Sequence, residues 1–138
     1  MNRGERKHSW ICGCACILLV ACATPPISQK LTGAEIKALL EGRTYECKGR
    51  DGLYVAYYPN ANTAVLSFTD YDGRNVRLKG ALRYESDTVC VTWNRPDWGN
   101  SCYGFYREGE MVRSVRRSES ARIDDCVGKV IEGNPRRL

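Results

Sequence analysis

Histidine is almost missing from this chain: His8 stands alone among 138 residues, inside a leader-like front segment. Once that segment is removed no imidazole remains, which excludes a Ser-His-Asp triad, a cysteine–histidine pair, an HExxH zinc site and histidine general-base chemistry together. A glycine-rich phosphate loop, a dinucleotide fingerprint and internal repeats are also missing. The longest uncharged, mostly apolar run, Trp10 to Ala21, has 12 residues, too short for a spanning helix, which needs about 20. "DYDG" at Asp70 to Gly73 lacks the later glycine and bidentate glutamate of a calcium loop, so it reads as a hairpin turn on Asp72-Gly73. Glu85, Asp87, Asp97, Asp124 and Asp125 remain as carboxylates. They fall where turn residues are expected and read as solvated, since only spatial separation identifies a catalytic pair. The sequence therefore predicts no catalytic set, no metal site and no cofactor.

What is present begins at the front. Arg3, Arg6 and Lys7 precede the short apolar run, the pattern of a secretory signal over residues 1–21. The run ends in "LVAC", Leu19 to Cys22, which resembles the lipobox of bacterial lipoproteins. That resemblance implies acylation of the Cys22 thiol and cleavage on its amino side. Cys12, Cys14 and Cys16 are spaced by single residues, unlike paired zinc ligands, and leave with the leader. Alanine rather than aspartate at position 23 implies, by the same resemblance, the outer membrane. "ATPPISQK" has no hydrophobic period, so residues 22–30 are expected to form a lipidated tether ahead of a domain over 31–138. Several acyl chains supply the stable attachment that one chain does not.

Export changes the meaning of Cys47, Cys90, Cys102 and Cys126. In an oxidising envelope four thiols in a small domain are expected to pair, and four permit three pairings. "TVCVTW" and "SCYGFY" are strand-like runs joined by "NRPDWGN", which favours Cys90–Cys102 across a loop. Cys47–Cys126 then ties the first strand to the last.

The body opens with one helix. "LTGAEIKALLEG" carries Thr32 three residues before Glu35, a capping box, then Ile36, Leu39 and Leu40 on one face and Gly42 as a stop. Strands follow. The clearest is Val76 to Tyr84, where Val76, Leu78, Leu82 and Tyr84 alternate with Arg77, Lys79, Ala81 and Arg83. Further runs are Thr44 to Lys48, Leu53 to Tyr58, Thr63 to Thr69, Thr88 to Trp93, Cys102 to Arg107, Met111 to Arg116 and Arg122 to Val127. The spacers between them are short and rich in Gly, Asn, Asp and Ser. The expected fold is mainly β: a small antiparallel meander of about eight strands, closing or nearly closing into a barrel, with one short N-terminal helix. A β-sandwich is the alternative.

Two groups are candidates for binding. Trp93, Trp98, Tyr103 and Tyr106 surround the predicted Cys90–Cys102 link; Trp93 and Tyr103 also suit a core, and Trp98, within the loop, is the candidate exposed anchor. The whole chain carries +5; losing Arg3, Arg6, Lys7 and Glu5 with the leader lowers this by two, to +3. Arg77, Lys79, Arg83, Arg113, Arg116 and Arg117 are candidates for a basic surface towards an anionic envelope polymer or lipid headgroups, although such a stripe is commonly a solvated sheet face. Nucleic acid is not expected as a partner outside the cytoplasm.

"LTGAEIKALLEG", "CVTW" followed by "CY", and the terminal "GNP" resemble a group of small bacterial envelope proteins with no assigned activity. The resemblance spans nearly all of Leu31 to Leu138. "YECKGRDGLYVAYY", "LKGALRY" and the late "DDC" resemble, more distantly, the membrane-bound inhibitors of c-type lysozyme, small lipoproteins of antiparallel β-barrel form. That likeness implies inhibitory contact at Arg83 and Tyr84. The expectation is a lipid-anchored envelope protein, facing the periplasm from the outer membrane, that acts by binding or structural association rather than catalysis. Inhibition of lysozyme or another wall hydrolase is the alternative.

Overall fold

The computed structural model describes residues 27–117 and 125–138. The leader over 1–21, Cys22, the tether up to residue 26, the "SES" spacer and residues 122–124 lie outside them. A two-residue strand β1 (Gln29–Lys30) and helix α1 (Gly33–Leu40) lead into β2 (Arg43–Gly49), β3 (Gly52–Asn60), β4 (Thr63–Thr69) and β5 (Asn75–Tyr84). β6 (Val89–Trp93), β7 (Asn100–Glu108), β8 (Met111–Arg117) and β9 (Asp125–Glu132) follow. From β2 onward each strand pairs antiparallel with the next, and β9 returns to β2. The result is a closed eight-stranded antiparallel barrel, and the sandwich alternative is set aside. Closure removes every long exposed edge.

The period of two sets what lies inside. On β5, Leu78 and Gly80 are buried and Leu82 and Tyr84 are half-buried, while Arg77, Lys79, Ala81 and Arg83 are exposed. Tyr45, Ala56, Leu66, Leu78, Val91, Trp93, Phe105 and Val112 join them as a continuous core. Both disulfides form as expected, on opposite faces of the wall. Cys90–Cys102 links residues directly opposite one another on β6 and β7, with Cα atoms 4.0 Å apart. Cys47–Cys126 joins β2 to β9, the seam that closes the barrel, with Cα atoms 5.4 Å apart.

The helix closes one end. The Thr32 hydroxyl accepts from the Glu35 amide at 3.3 Å, and the Thr32 amide donates to Glu35 Oε2 at 2.7 Å, completing the capping box. Ile36 and Leu40 are fully buried beneath the barrel, and Gly33 donates to Ser86 O in the β5–β6 turn at 3.0 Å. A Cβ on Gly33 would stand 1.7 Å from Glu85 O, so glycine sets how closely the helix seats. At the other end of α1, the Arg43 guanidinium donates to Ala38 O and Leu39 O, occupying carbonyls the helix leaves open.

Two segments differ from the sequence expectation. Gln29 and Lys30 are not tether: they pair with Arg107 and Tyr106, extending the wall along the half of β7 that β6 does not cover. Asp87 holds this strand, accepting from both Lys30 and Arg117, and these hydrogen bonds keep its carboxyl below the usual range. β9 runs to Glu132, five residues beyond the expected end at Val127. Gly128 reads as a breaker in sequence, yet its missing side chain lets β9 lie against β2: a Cβ would stand 1.8 Å from Glu46 O. The terminal "GNP" then turns back, with Asn134 accepting from the Leu138 amide and donating to its carbonyl.

Candidate functional site

Opposite the helix, the barrel encloses a cavity of about 330 Å³. Its floor is Tyr45, Tyr58, Leu66 and Phe105, standing above the helix plug. Its mouth is bordered by Arg50 and Asp51 of the β2–β3 turn, Tyr71 of the β4–β5 turn and Trp98 of the β6–β7 loop. Tyr71 is 90 % exposed at this rim. The β4–β5 turn is fixed as the sequence implies: Asp70 Oδ1 accepts from the amides of Asp72 and Arg74, and Gly73 takes φ +76°.

The walls have two characters. On the β3, β4 and β6 side an aromatic chain runs through the cavity: Tyr54 to Phe68 at 5.4 Å, Phe68 to Trp98 at 5.0 Å, and Trp98 edge-on to Trp93 at 6.4 Å. Gly80 makes room for it, because a Cβ there would stand 2.4 Å from Val91 Cγ1 and 2.9 Å from Trp93 Cε3. That places the six-membered edge of the Trp93 ring against β5. Its Nε1 is on the opposite edge of the ring, buried, and has no acceptor among the described residues. On the β8 and β9 side the lining is polar: Ser114, Arg116, Asp125 and the Cys126 end of the disulfide, with Tyr103 beside them on β7.

Three buried or half-buried tyrosines, Tyr45, Tyr58 and Tyr84, have their hydroxyls held in the neutral form. Tyr45 lies within reach of Cys126 O at 2.7 Å and Val112 O at 3.0 Å, with Ser114 Oγ at 3.4 Å. Burial pushes its pKa up to about 12, partly offset by the hydrogen bond with Ser114. Tyr84 is pushed up to about 12, first by burial and then by the Glu41 carboxylate. Tyr58 is raised by burial, with Tyr45, Tyr103 and Tyr84 as further contributors. A folded pKa above the ordinary value of 10 contributes stability that is complete below 10 and lost as pH rises through about 12. In an alkaline absorbance titration, native protein is expected to form fewer phenolates than urea-unfolded protein within that window, with unfolding at its upper edge. Identical titration curves in the two states would refute the burial.

The candidate residues from sequence divide cleanly. Trp93, Trp98 and Tyr103 converge on the cavity. Trp98 is not the exposed anchor expected of a loop residue; it is half-buried because its ring folds back onto Phe68 and Trp93. Arg83 and Tyr84 lie away from the cavity, near the helix-plugged end. Arg83 is exposed and pairs with Glu85 at 2.9 Å, whereas Tyr84 is half-buried with its hydroxyl enclosed. The six cations do not form one basic surface. Arg77, Lys79 and Arg83 occupy the outer face of β5, Arg116 points inward, and on β8 Arg113 pairs with Glu108 and Arg117 with Asp87. Sequence reasoning missed Tyr54, Phe68 and Arg116 as cavity residues. Period-two alternation predicts that they face inward, but not that the space before them stays open.

The comparisons with known proteins give no match to a family model, a curated protein or a solved structure. The reading of the cavity therefore rests on its own geometry.

Proposed function

We propose that this chain is a lipid-anchored envelope protein that takes a small, largely apolar molecule into its barrel and binds it without transforming it. The observation that carries the reading is the cavity of about 330 Å³, lined by Tyr54, Phe68, Trp93 and Trp98 and opening at the end away from helix α1, beside the β2–β3 and β4–β5 turns and the β6–β7 loop. This volume lies at the lower end of the range for small-molecule sites, about 300–1,000 Å³. Eight-stranded barrels have an interior wide enough either to fill with side chains or to hold one small ligand. Binding rather than chemistry is supported by the lining, in which Tyr45 and Tyr58 are kept neutral and Asp125 faces Arg113 at 3.7 Å.

The anchor and the mouth fit one orientation. Gln29 pairs with Arg107 beside the β7–β8 turn, so the chain from Cys22 meets the barrel at its helix-plugged end. With Cys22 acylated, that end faces the membrane and the mouth opens away from it. The alternative, inhibition of a wall hydrolase through Arg83 and Tyr84, draws less support, since one is ion-paired and the other half-buried.

The test uses a neutral fluorescent probe, phenylnaphthylamine, against the purified mature protein. One equivalent is expected to bind, with energy transfer from the tryptophans, and Ala56→Phe, which fills the cavity from β3, is expected to lower affinity by at least about tenfold. No uptake by wild type, or equal uptake by the filled variant, would refute the reading. Intact mass of the mature amino terminus checks acylation of Cys22.

A further inference from the structure

We propose that the preferred ligand is an aromatic organic anion, its ring against the aromatic wall and its acid group paired with Arg116; this rests on the cavity reading above. Arg116 faces the interior by the alternation of β8, in which Val112 and Ser114 are buried and Arg113 and Arg117 point outward to carboxylates. Among the described residues, Arg116 makes no ion pair. Among the described residues, the charged ones around the cavity are Arg50, Asp51, Arg116 and Asp125. Asp125 already faces Arg113 on the outer surface at 3.7 Å, which leaves two guanidinium groups against the single carboxylate of Asp51. Among the described residues the mouth is therefore net cationic.

A second, independent observation points to an acceptor on the ligand. Trp93, only 8 % exposed, keeps its Nε1 without an acceptor among the described residues while its ring lines the cavity. An indole N–H only donates, and so does a guanidinium. The cavity thus offers a buried indole donor, a part-buried guanidinium and a flat aromatic face: Trp98 and Phe68, 5.0 Å apart and inclined by 38°, present rings that stack on another ring more readily than on a flexible chain. A carboxylate or sulfonate on an aromatic frame satisfies both. A neutral apolar ligand would leave Trp93 Nε1 unmatched, at the cost that an unsatisfied buried donor carries.

Two probes with nearly the same ring system separate this inference from the reading it deepens: neutral phenylnaphthylamine and anilinonaphthalene sulfonate, titrated into the mature protein at low salt. The sulfonate is expected to bind about tenfold more tightly, the scale of one charge-assisted hydrogen bond. Arg116→Gln is expected to remove that preference, bringing the affinity for the sulfonate down to that for the neutral probe. Arg77→Gln, on the outer face, should retain it. In wild type, raising the salt should narrow the preference, which keeps the test open if the Arg116 variant does not fold. Equal affinities for the two probes, persistence of the preference in Arg116→Gln, or an equal loss in Arg77→Gln would overturn the anion while leaving the cavity intact. If neither probe binds, the cavity reading itself falls.

Discussion

Replacing Cys47 and Cys126 together by alanine is expected to lower the unfolding free energy by about 4–5 kcal/mol, against about 3 kcal/mol for the Cys90 and Cys102 pair. The difference follows from the loops closed. Cys47–Cys126 spans 79 residues and Cys90–Cys102 spans 12, so the first removes more freedom from the unfolded chain. Position adds to length. Cys90–Cys102 reinforces a β6–β7 pair already held by its own hydrogen bonds. Cys47–Cys126 crosses the β2–β9 seam, the closure made between strands farthest apart in sequence. Cys47 is also only 5 % exposed, so its loss opens space at the cavity wall. Urea unfolding of the two double variants, extrapolated to water, measures both terms. Equal losses, or a larger loss from the Cys90 and Cys102 pair, would contradict this account of the seam.

Gly128→Ala is expected to cost about 3 kcal/mol or more, lowering the melting temperature by roughly 12–20 °C. The added methyl would stand 1.8 Å from Glu46 O and 2.5 Å from Cys47 Cα. Both obstacles are backbone, so no rotamer change relieves them. The strands must separate where Cys47 sits in the ladder opposite Gly128, and the ladder bonds of β2 and β9 are strained together. Gly104→Ala is the matched control. A Cβ there meets only Tyr106 Cε2 at 3.6 Å, an ordinary contact, and its effect is expected to stay within about 1 kcal/mol. Thermal melts of the two variants side by side decide the matter, and comparable melting temperatures would show that the seam has slack.

Helix α1 was legible because its signals are local: Thr32 and Glu35 cap each other, and Ile36 and Leu40 share a face. β5 was legible because its alternation is uninterrupted, and most other strands because Asn, Asp and Gly mark their turns. The C-terminal part of β9 was not legible, since a glycine within a strand signals a break unless the neighbouring backbone is known to approach it. The seating of Trp98 was hidden for a related reason: a tryptophan between Asp97 and Gly99 looks exposed until Phe68, thirty positions earlier, is brought to 5.0 Å from it. Arg116 was readable as a cation but not as one facing a cavity.

The sequence by itself determined the class of fold, the single helix and the two disulfide pairings, because capping, alternation and turn chemistry act over a few residues and cysteine spacing follows the strands they define. Whether the sheet closes, which end the helix plugs, and how much of the interior stays open were decided only in three dimensions. Those outcomes depend on the volumes of side chains from eight strands meeting at one axis, with Gly80 and Gly128 setting the closest approaches. No local pattern in the chain encodes that sum.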